Sequence, residues 1–413
     1  MNDNTAFWPQ EMVDYGATKA MIGEPIIIDG PQVATDELIR VSDSIGQVIR
    51  LLASLPERTG QTLYEIACWL GFSPEEARVL TEGCDRLDAN AYARADVVHC
   101  HDGFKLVEIN MGAVVGGAME GSLPWLSGSH QPFNPIATWI DYLGRVIPDN
   151  GRGVLIYDGP EGSEWNAHIQ IMAEQISQRL GIDMVASRRP VLTWDGVHLR
   201  DEHGPFDWVY PVYFPWQVTA NPDYYRPIRS AIRERAIAVP VHPSALLLAS
   251  KKMFALVWKC LENGQLTDEE ALLVKTLLPY TCSLSKETLT YAIEHQQTLV
   301  LKPSNGHCGL GVVIGHEVSA PIWRASLEQA ILDAEDDYLV QQCCEPILEP
   351  AVTIDNEGQC ETFLARYIWG MFIAQGKFCG TPFMRCRSPE GSLVINCANG
   401  AACGPLSRKS SLW

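Results

Sequence analysis

Residues 106–113 read LVEINMGA and lie directly ahead of a glycine-rich stretch. Val107 and Ile109 alternate with Glu108 and Asn110, and successive side chains of a β-strand point to opposite faces. The carboxylate and the amide are therefore expected on one face, opposite the two apolar residues. An amphipathic strand with one solvent-facing side accounts for this pattern, but so does a strand that presents oxygen ligands to a binding site.

The composition is that of a globular protein large enough for two or three packed units, with 413 residues, 46% apolar and 20% charged. The formal net charge of −19 argues against a general binder of nucleic acid or anionic membrane, because a polyanion would be repelled. No apolar run approaches the roughly 20 residues of a membrane span, and no signal-peptide pattern opens the chain. Thirteen cysteines without C-x-x-C pairs indicate reduced thiols, so we expect a cytoplasmic protein.

Helical periodicity dominates residues 35–90, and the segment ADVVHCHDGFKLVEIN at 95–110 reads as a β-hairpin. From residue 153 a buried strand, a polar loop and an amphipathic helix precede a second short strand. This alternation predicts a small α/β unit over 151–240 with a partly parallel sheet. Ligands of such sheets bind at the carboxyl ends of the strands, so the loop at 158–166 is a candidate for substrate specificity.

The pattern after residue 241 predicts a helix at 244–262 and another at 267–277, followed by a strand ending at Lys302. A glycine-rich loop, a second strand, a helix and a strand at 338–345 come next. The remaining C-terminal residues read as β-rich, with a hairpin at 361–380.

The segment TLVLKPSNGHCGLGVVIG at 298–315 is the most informative of these. An apolar strand delivers Lys302, and Gly306, Gly309 and Gly311 follow before the next strand. Glycines let backbone N–H groups approach phosphate oxygens, and a lysine ammonium supplies the counter-charge. No G-K-[ST] opens a helix here, so this is not a Walker loop. A glycine-rich hairpin with a purely structural role is the alternative.

Two flanking features favour a nucleotide site. Upstream, Lys251 and Lys252 stand near the start of an apolar helix, which is an unusual place for paired cations. The register into the helix favours Lys252 as a phosphate ligand over Lys251. Downstream, the strand that ends in Gln341 and Gln342 is followed by a proline, and such a hinge can receive a purine ring.

In this order of elements the chain resembles the nucleotide-binding half of the ATP-grasp superfamily. That superfamily's metal-binding end, a carboxylate followed about a dozen residues later by Glu-x-Asn, is missing after residue 350. It occurs early instead, as Asp96, Glu108 and Asn110. The chain thus resembles a circularly permuted ATP-grasp enzyme, similar to the ligase domain of the glutathionylspermidine synthetase family. In that family an arginine stands two residues before the Asp, as Arg94 does here.

The resemblance implies a mixed α/β (α+β) fold: a circularly permuted ATP-grasp fold with a small pre-ATP-grasp α/β domain. Residues 1–150 would supply the N-terminal helices and the permuted metal-binding part. Residues 151–240 would form the pre-ATP-grasp domain. Residues 241–413 would form the nucleotide-binding part with its glycine-rich lid.

The resemblance also implies ATP and one or two Mg²⁺ ions as cofactors, with Mn²⁺ as an alternative, because the metal ligands are hard oxygens. Arg94 would neutralise the transferring phosphoryl group. Arg385 is a candidate for binding the acyl phosphate, and a surface-paired arginine is the competing interpretation. The other implied site residues are the metal ligands Asp96, Glu108 and Asn110, the phosphate ligands Lys252 and Lys302, the loop residues Ser304, Gly306, Gly309 and Gly311, and the adenine-strand residues Gln341 and Gln342.

The implied reaction is ATP-dependent carboxylate–amine ligation through an acyl phosphate, with release of ADP and phosphate. Its partners would be small-molecule or peptide carboxylates and amines, in small-molecule, peptide or natural-product biosynthesis. For the oligomeric state, a homodimer is expected only because it is the commonest oligomer among soluble proteins. A phosphotransferase using the same nucleotide site is the first alternative, and a non-catalytic ATP-binding module is the second. Hydroxylamine trapping separates ligase from kinase, since only an acyl phosphate yields a hydroxamate.

Overall fold

Helices cover a large, mostly antiparallel sheet in the computed structural model. The structure describes residues 25–113, 115, 135–159, 164–306, 309–333, 337–355, 357–380 and 382–406. The helices are α1 Thr35–Thr59, α2 Leu63–Trp69, α3 Pro74–Thr81, α4 Pro135–Val146, α5 Glu164–Leu180, α6 Pro215–Ala220, α7 Pro222–Arg233, α8 Ala245–Ala249, α9 Lys252–Glu262, α10 Asp268–Leu277, α11 Leu289–Glu294 and α12 Ala320–Leu332. The strands are β1 Ile26–Asp29, β2 Ala93–Cys100, β3 Gly103–Met111, β4 Gly153–Tyr157, β5 Met184–Arg188, β6 Thr193–Trp194, β7 Leu199–Asp201, β8 Gly204–Pro205, β9 Trp208–Val212, β10 Thr281–Ser283, β11 Leu299–Pro303, β12 Val313–Ile314, β13 Tyr338–Gln342, β14 Glu349–Ile354, β15 Cys360–Ala374, β16 Lys377–Phe378, β17 Phe383–Arg387 and β18 Ala402–Pro405.

Eight strands form the main sheet, in the order β14–β1–β18–β17–β15–β2–β3 with β16 beside β15. Because β14 pairs with both β1 and β15, the strands β14, β1, β18, β17 and β15 close into a ring. The long strand β15 then pairs with β2 further along its length. The predicted hairpin at 95–110 is confirmed as β2–β3, and it extends the sheet beyond the ring.

Helix α1 lies on this sheet through its apolar side. Leu38, Ile45, Ile49 and Leu52 recur at helical spacing and are all buried in the main core. Gly46 allows the backbone of α1 to lie close to the turn between β15 and β16. A Cβ at this position would lie 2.5 Å from the carbonyl oxygen of Gly376 in that turn.

The segment from 151 onward contains a parallel sheet in the order β5–β4–β9, with α5 between β4 and β5. Strand β4 is buried along its whole length, as its apolar sequence predicts. Leu155 and Tyr157 pack into the main core, whereas Val154 and Ile156 belong to a second core with α7. The parallel sheet therefore lies between the main core, which includes α5, and the second core with α7.

Strands β10–β13–β11–β12 form a smaller antiparallel sheet whose apolar face packs with Trp323 and Leu327 of α12 in a third core. Residues 244–262 do not form the single helix that their apolar pattern predicts. Helix α8 ends at Ala249 and α9 begins at Lys252. Between them Ser250 has an extended backbone (ψ 124°), and the Lys251 N–H donates to the Ser304 carbonyl at 3.0 Å. A tertiary hydrogen bond thus replaces a helical one.

The expectation that all cysteines are reduced is wrong for one pair. Cys397 and Cys403 are joined as a disulfide, so not every thiol is reduced. The other cysteines of the described ranges are free. Among the described helices, none combines the length and the apolar character needed to cross a membrane.

The close approach at Gly46 gives a stability prediction. Gly46→Ala should lower the free energy of unfolding by about 1–2 kcal/mol, because the methyl group collides with backbone and this outweighs the gain in helix propensity. Urea unfolding measures the change. Gln47→Ala, on the exposed side of the same helix, is the control and should stay within about 0.5 kcal/mol. A stabilised Gly46→Ala protein would contradict the packing of α1.

Candidate active site

The β2–β3 hairpin provides the acidic part of the site. Its register pairs Arg94 with Asn110 and Asp96 with Glu108. Residues directly opposite each other in an antiparallel pair have neighbouring side chains. The proposed metal ligands from the two strands are therefore brought together by local pairing alone.

A β-bulge modifies the alternation of the stretch 106–113. The register passes from Asp96–Glu108 to Val97–Leu106, which leaves Val107 as the extra residue. Val107 lines a cavity beside Glu108, whereas Ile109 is buried in the core. The expectation that Val107 and Ile109 share a face is therefore wrong, because the bulge shifts the alternation by one residue.

Asp96 is buried, with 5% of its surface exposed, and lies between two arginines. Its Oδ1 is 3.2 Å from Arg94 Nε and 2.8 Å from an Arg385 guanidinium nitrogen. Its Oδ2 accepts a hydrogen bond from Asn110 Nδ2 at 3.3 Å. Burial opposes the charged form most strongly, but Arg385 and Arg94 together bring the pKa of Asp96 below its ordinary value. Asp96 is thus a carboxylate at neutral pH.

The two arginines differ in what else they contact. Arg385 is buried on β17 and lines the cavity, and its Nε–H has no acceptor among the described residues. A buried N–H donor without an acceptor favours the binding of a ligand that brings an acceptor oxygen. Arg94 does not line the cavity. Its side chain packs against Gly370, where a Cβ would lie 3.0 Å from Arg94 Cδ.

The helix break at Ser250 directs Lys251 into the cavity. Its Nζ is 3.2 Å from Glu108 Oε1 and donates to the Gly306 carbonyl oxygen at 2.7 Å. The side chain is only 7% exposed, so the charge depends on these partners. Lys251 therefore connects β3 to the glycine-rich loop.

Lys252, which the sequence favoured as the phosphate ligand, does not line the cavity. Its Nζ binds the Asp337 carboxylate and donates to the Trp69 carbonyl oxygen at 2.7 Å. The ammonium also lies 4.6 Å from the centre of the Trp69 ring. Because the helix restarts at this residue, Lys252 points away from Lys251 and holds α2 against the loop before β13.

Lys302 and Gln341 meet within the cavity. Lys302 Nζ donates to Gln341 Oε1 at 2.6 Å, and Gln341 Nε2 donates to Thr281 Oγ1 at 3.1 Å. Burial lowers the pKa of Lys302, with Glu108 opposing this effect and Lys251 adding to it. Gln341 is thus a polar partner of a lysine whose charged form is disfavoured.

The glycine-rich loop is only partly described, since residues 307–308 lie outside the described ranges. Gly306 and Gly309 line the cavity, whereas Gly311 and Ser304 do not. Gly309 has φ +72°, and a Cβ there would lie 2.7 Å from Val394. The Ser304 hydroxyl is buried and has no hydrogen-bond partner among the described residues.

These groups border one cavity, hereafter the main cavity, with an empty volume of about 850 Å³ that includes space open to solvent. Its charged lining residues within the described part are Asp96, Glu108, Lys251, Lys302 and Arg385. Among its other lining residues are Val300, Leu310, Ile314, Gln341, Gln342 and Cys343.

Sequence reasoning missed part of this lining. Ile368 on β15 and residues 393–396 border the main cavity. The segment 393–396 follows β17 without regular secondary structure, so no periodic pattern marks it. Only its position after Arg385 could have directed attention to it.

The acidic residues also fit a cation. Asp96, Glu108 and Asn110 offer hard oxygens of the kind that Mg²⁺ prefers. Asn110 donates to Asp96 through Nδ2, which leaves its Oδ1 for a cation. Within the described ranges, no three His, Cys, Asp or Glu side chains cluster in a way suited to a metal. The site therefore fits a cation that arrives with further oxygens from a bound ligand.

No family model and no curated protein sequence matches the chain. Among solved structures, it is similar to a glutathione synthetase-like effector of Globodera pallida in its apo form. The TM-score is 0.57 at 13% identity, over 92% of this chain and 90% of that one. At this identity the likeness shows the fold alone. The chain thus has a mixed α/β fold similar to that of the glutathione synthetase-like effector.

Two further structures match less well. One is a protein of Methylobacillus flagellatus KT assigned as a gamma-glutamylcysteine synthetase, with TM-score 0.46, 13% identity, and coverage of 94% of this chain and 90% of that one. The other is D-alanyl-alanine synthetase A of Vibrio cholerae O1 biovar eltor, with TM-score 0.32, 12% identity, and coverage of 60% and 87%. Neither score is high enough to carry an argument.

The contacts of Lys252 give a prediction that separates its role from that of Lys251. Asp337→Ala leaves a lysine side chain that is only 9% exposed without its carboxylate, and should cost about 3 kcal/mol of unfolding free energy. Lys252→Met leaves the Asp337 side chain, which is 32% exposed, to be solvated, and should cost less, about 1 kcal/mol. Urea unfolding of both variants compares the costs. The reverse order would contradict the structural role of Lys252.

Proposed function

We propose that the chain is an ATP-dependent ligase that joins a carboxylate to an amine and releases ADP and phosphate. One observation carries this proposal: the acidic hairpin β2–β3 and the basic residues Lys251, Lys302 and Arg385 border a single cavity. In sequence these groups are well over a hundred residues apart. Their convergence is what a site for a metal-bound nucleoside triphosphate requires.

The charges of the cavity support an anionic ligand. Three basic residues, Lys251, Lys302 and Arg385, line the cavity with two carboxylates, Asp96 and Glu108, and Arg94 pairs with Asp96 from outside the cavity. ATP with bound Mg²⁺ remains an anion, so it complements this excess of positive charge. We assign the phosphates to Lys251 and Lys302, with the backbone of the glycine-rich loop around Gly306 alongside. This replaces Lys252 in that role.

The adenine is assigned to the apolar part of the same cavity. Val300, Leu310 and Ile314 supply apolar contacts, and strand β13 runs alongside them. Gln341 is engaged by Lys302, so Gln342 and the backbone after β13 are the groups left to recognise the base edge. A mostly apolar site with a few polar groups is typical for a flat heterocycle.

Asp96, Glu108 and Asn110 would hold Mg²⁺, which supplies charge neutralisation between the phosphates. In the first step the substrate carboxylate attacks the γ-phosphorus of ATP, the bond to the bridging oxygen breaks, and ADP leaves. Arg385 stabilises the charge on the transferring group through its unpaired Nε–H. In the second step the amine attacks the acyl carbon, the bond between that carbon and the phosphate oxygen breaks, and the departing phosphate takes up the proton that the amine loses.

Two finer structural proposals accompany this function. The early position of β2 and β3 in the chain, with the nucleotide-binding lysines after residue 250, supports a circular permutation of the ATP-grasp order. The parallel sheet β5–β4–β9 with α5 supports a pre-ATP-grasp domain at 151–240. We retain 1–150 and 241–413 as the two portions of the permuted domain.

A trapping experiment tests the proposed function. The protein is incubated with Mg·ATP, hydroxylamine and pools of carboxylic acids, and hydroxamate and ADP are measured together. A ligase produces both, since hydroxylamine intercepts the acyl phosphate. ADP with a phosphorylated alcohol and no hydroxamate would indicate a phosphotransferase, and absence of ATP binding by calorimetry would overturn both.

Adjacent lysines supply a matched pair of variants for this assay. Lys251→Met should weaken Mg·ATP binding by about a hundredfold, because a buried cationic contact to phosphate is lost. Lys252→Met, once folded, should bind Mg·ATP nearly as well as the parent protein, because its ammonium contacts Asp337 and Trp69 instead. Equal losses in the two variants would contradict the assignment of Lys251.

The lowered pKa of Lys302 gives a pH prediction. Phosphate should raise this pKa again, so Mg·ATP binding should take up protons when the pH lies between the two values. Affinity should then fall as pH rises through the lowered pKa. Calorimetry in two buffers of different ionisation enthalpy measures the uptake. Lys302→Arg, whose charge is permanent, is the control and should show less uptake; identical uptake would exclude Lys302 as its source.

A further inference from the structure

A second cavity adjoins the main one, with an empty volume of about 420 Å³. The two cavities share Glu108, Lys251 and Gly306 as lining residues. Under the proposed function this shared border lies where the phosphates are assigned. A molecule in the second cavity is therefore placed beside the group that reacts.

One wall of the second cavity is aromatic. The rings of Phe214 and Trp216 stack with their centres 4.2 Å apart and their planes 10° from parallel, and Phe72 also lines the cavity. The Phe214 N–H donates to Gln217 Oε1 at 2.8 Å, which fixes the start of α6. Trp216 nevertheless remains 46% exposed. A rigid aromatic surface that is partly exposed suits a flat or apolar ligand group.

A buried hydroxyl group also lines this cavity. Ser250, in the break between α8 and α9, is 2% exposed, and its Oγ has no hydrogen-bond partner among the described residues. An unsatisfied buried hydroxyl destabilises the folded protein. A ligand group that donates to Ser250 Oγ would remove this cost. Glu108 and Asn110 add two more oxygen acceptors to the same cavity.

The charges of the second cavity are already balanced. Within the described part of its lining, Glu108 and Lys251 are the charged residues, and they pair with each other at 3.2 Å. A ligand side chain with its own carboxylate or ammonium would find no further counter-ion there. An uncharged side chain meets aromatic and aliphatic groups instead, including Leu246 and Ala249.

We propose that the second cavity binds the amine substrate, and that this amine carries an aromatic or large apolar side chain without charge. This inference rests on the proposed ligase function, which it makes more specific. The amine nitrogen donates to Ser250 Oγ and Glu108, and the side chain lies against Phe214 and Trp216.

The loop that the sequence suggested for specificity fits this role less well. Residues 160–163 of the loop 158–166 lie outside the described ranges. Asp158 accepts hydrogen bonds from Arg189 at 2.8 Å and from Tyr225 at 3.0 Å. Its carboxylate is therefore engaged in holding β4 to β5 and α7.

The first test compares amines in the ligase assay, with the acid that gives most hydroxamate. Phenethylamine and isoamylamine should show kcat/KM at least about tenfold above those of β-alanine and 1,3-diaminopropane. Trp216→Ala should lower kcat/KM for phenethylamine about tenfold without changing KM for ATP. Trp216→Phe should retain most of the kcat/KM for phenethylamine, because an aromatic ring is kept. Ile322→Ala, an exposed apolar residue on α12, is the control and should have no effect.

The second test isolates the Ser250 hydroxyl. Ser250→Ala should raise KM for phenethylamine about fivefold and leave the unfolding midpoint unchanged or higher, because an unsatisfied hydroxyl is removed. Ser42→Ala is a matched control, since Ser42 in α1 is also buried with a hydroxyl that has no partner among the described residues. It should show the same stability effect and no change in KM. Equal KM effects in both variants would overturn the role of Ser250.

The outcomes separate this inference from the proposed function. If hydroxamate forms but charged amines are used as well as phenethylamine, the inference is overturned and the ligase stands. If no acid yields hydroxamate, the ligase proposal fails. Calorimetric titration with phenethylamine then tests the second cavity independently of catalysis. Binding that is weakened by both Ser250→Ala and Trp216→Ala supports the inference, and absence of binding overturns it.

Discussion

The contact of Lys251 with Glu108 and Gly306 is the constraint on which the rest of the site depends. Its ammonium group lies 3.2 Å from the carboxylate of β3 and 2.7 Å from the carbonyl oxygen of the glycine-rich loop. The main sheet and the smaller sheet of β10–β13 are thereby held on either side of one cavity. Because the lysine side chain is 7% exposed, neither acceptor can be lost without leaving a charge poorly solvated.

The arrangement also supports the proposal that the cavity binds an anion. Burial and the neighbouring Lys251 lower the pKa of Lys302, and Arg385 holds a donor that has no acceptor within the described residues. Both features raise the free energy of the unliganded site. A phosphate ligand would relieve both, because it would bring a counter-charge to the buried lysine and an acceptor oxygen to Arg385. Asp96 and Glu108 already supply counter-charges to Arg385 and Lys251.

Local patterns were sufficient to predict one side of the site. The two-residue period of β3 brought Glu108 and Asn110 together, and the end of β11 fixed Lys302. The other side depends on contacts between distant segments. The helix break at Ser250 could not be read from an apolar helical pattern, because it requires the Ser304 carbonyl as a tertiary acceptor. The choice between neighbouring lysines follows from that break.

The differences between the sequence pattern and the structure have the same origin. The bulge at Val107 alters which face a side chain takes without altering the sequence pattern that predicts the strand. The register into the helix favoured Lys252 as a phosphate ligand, whereas the structure pairs its ammonium with Asp337, 85 positions away. The fold type could be predicted from the sequence, because hydrophobic period and element order are local properties. The ring closed by β14 could not be predicted in this way, since it depends on β1 pairing with strands from the far end of the chain.

Glu108 lines both cavities, so under the two proposals it would link nucleotide binding to amine binding. In the unliganded protein its carboxylate is partnered by Lys251. Under the proposed function a phosphate in the main cavity offers Lys251 a second anion, which weakens the hold of that lysine on Glu108. Glu108 then has an oxygen available for a donor in the second cavity, beside Ser250. On these proposals the second cavity would be most complementary to an amine once the nucleotide is bound, and this order would protect the acyl phosphate.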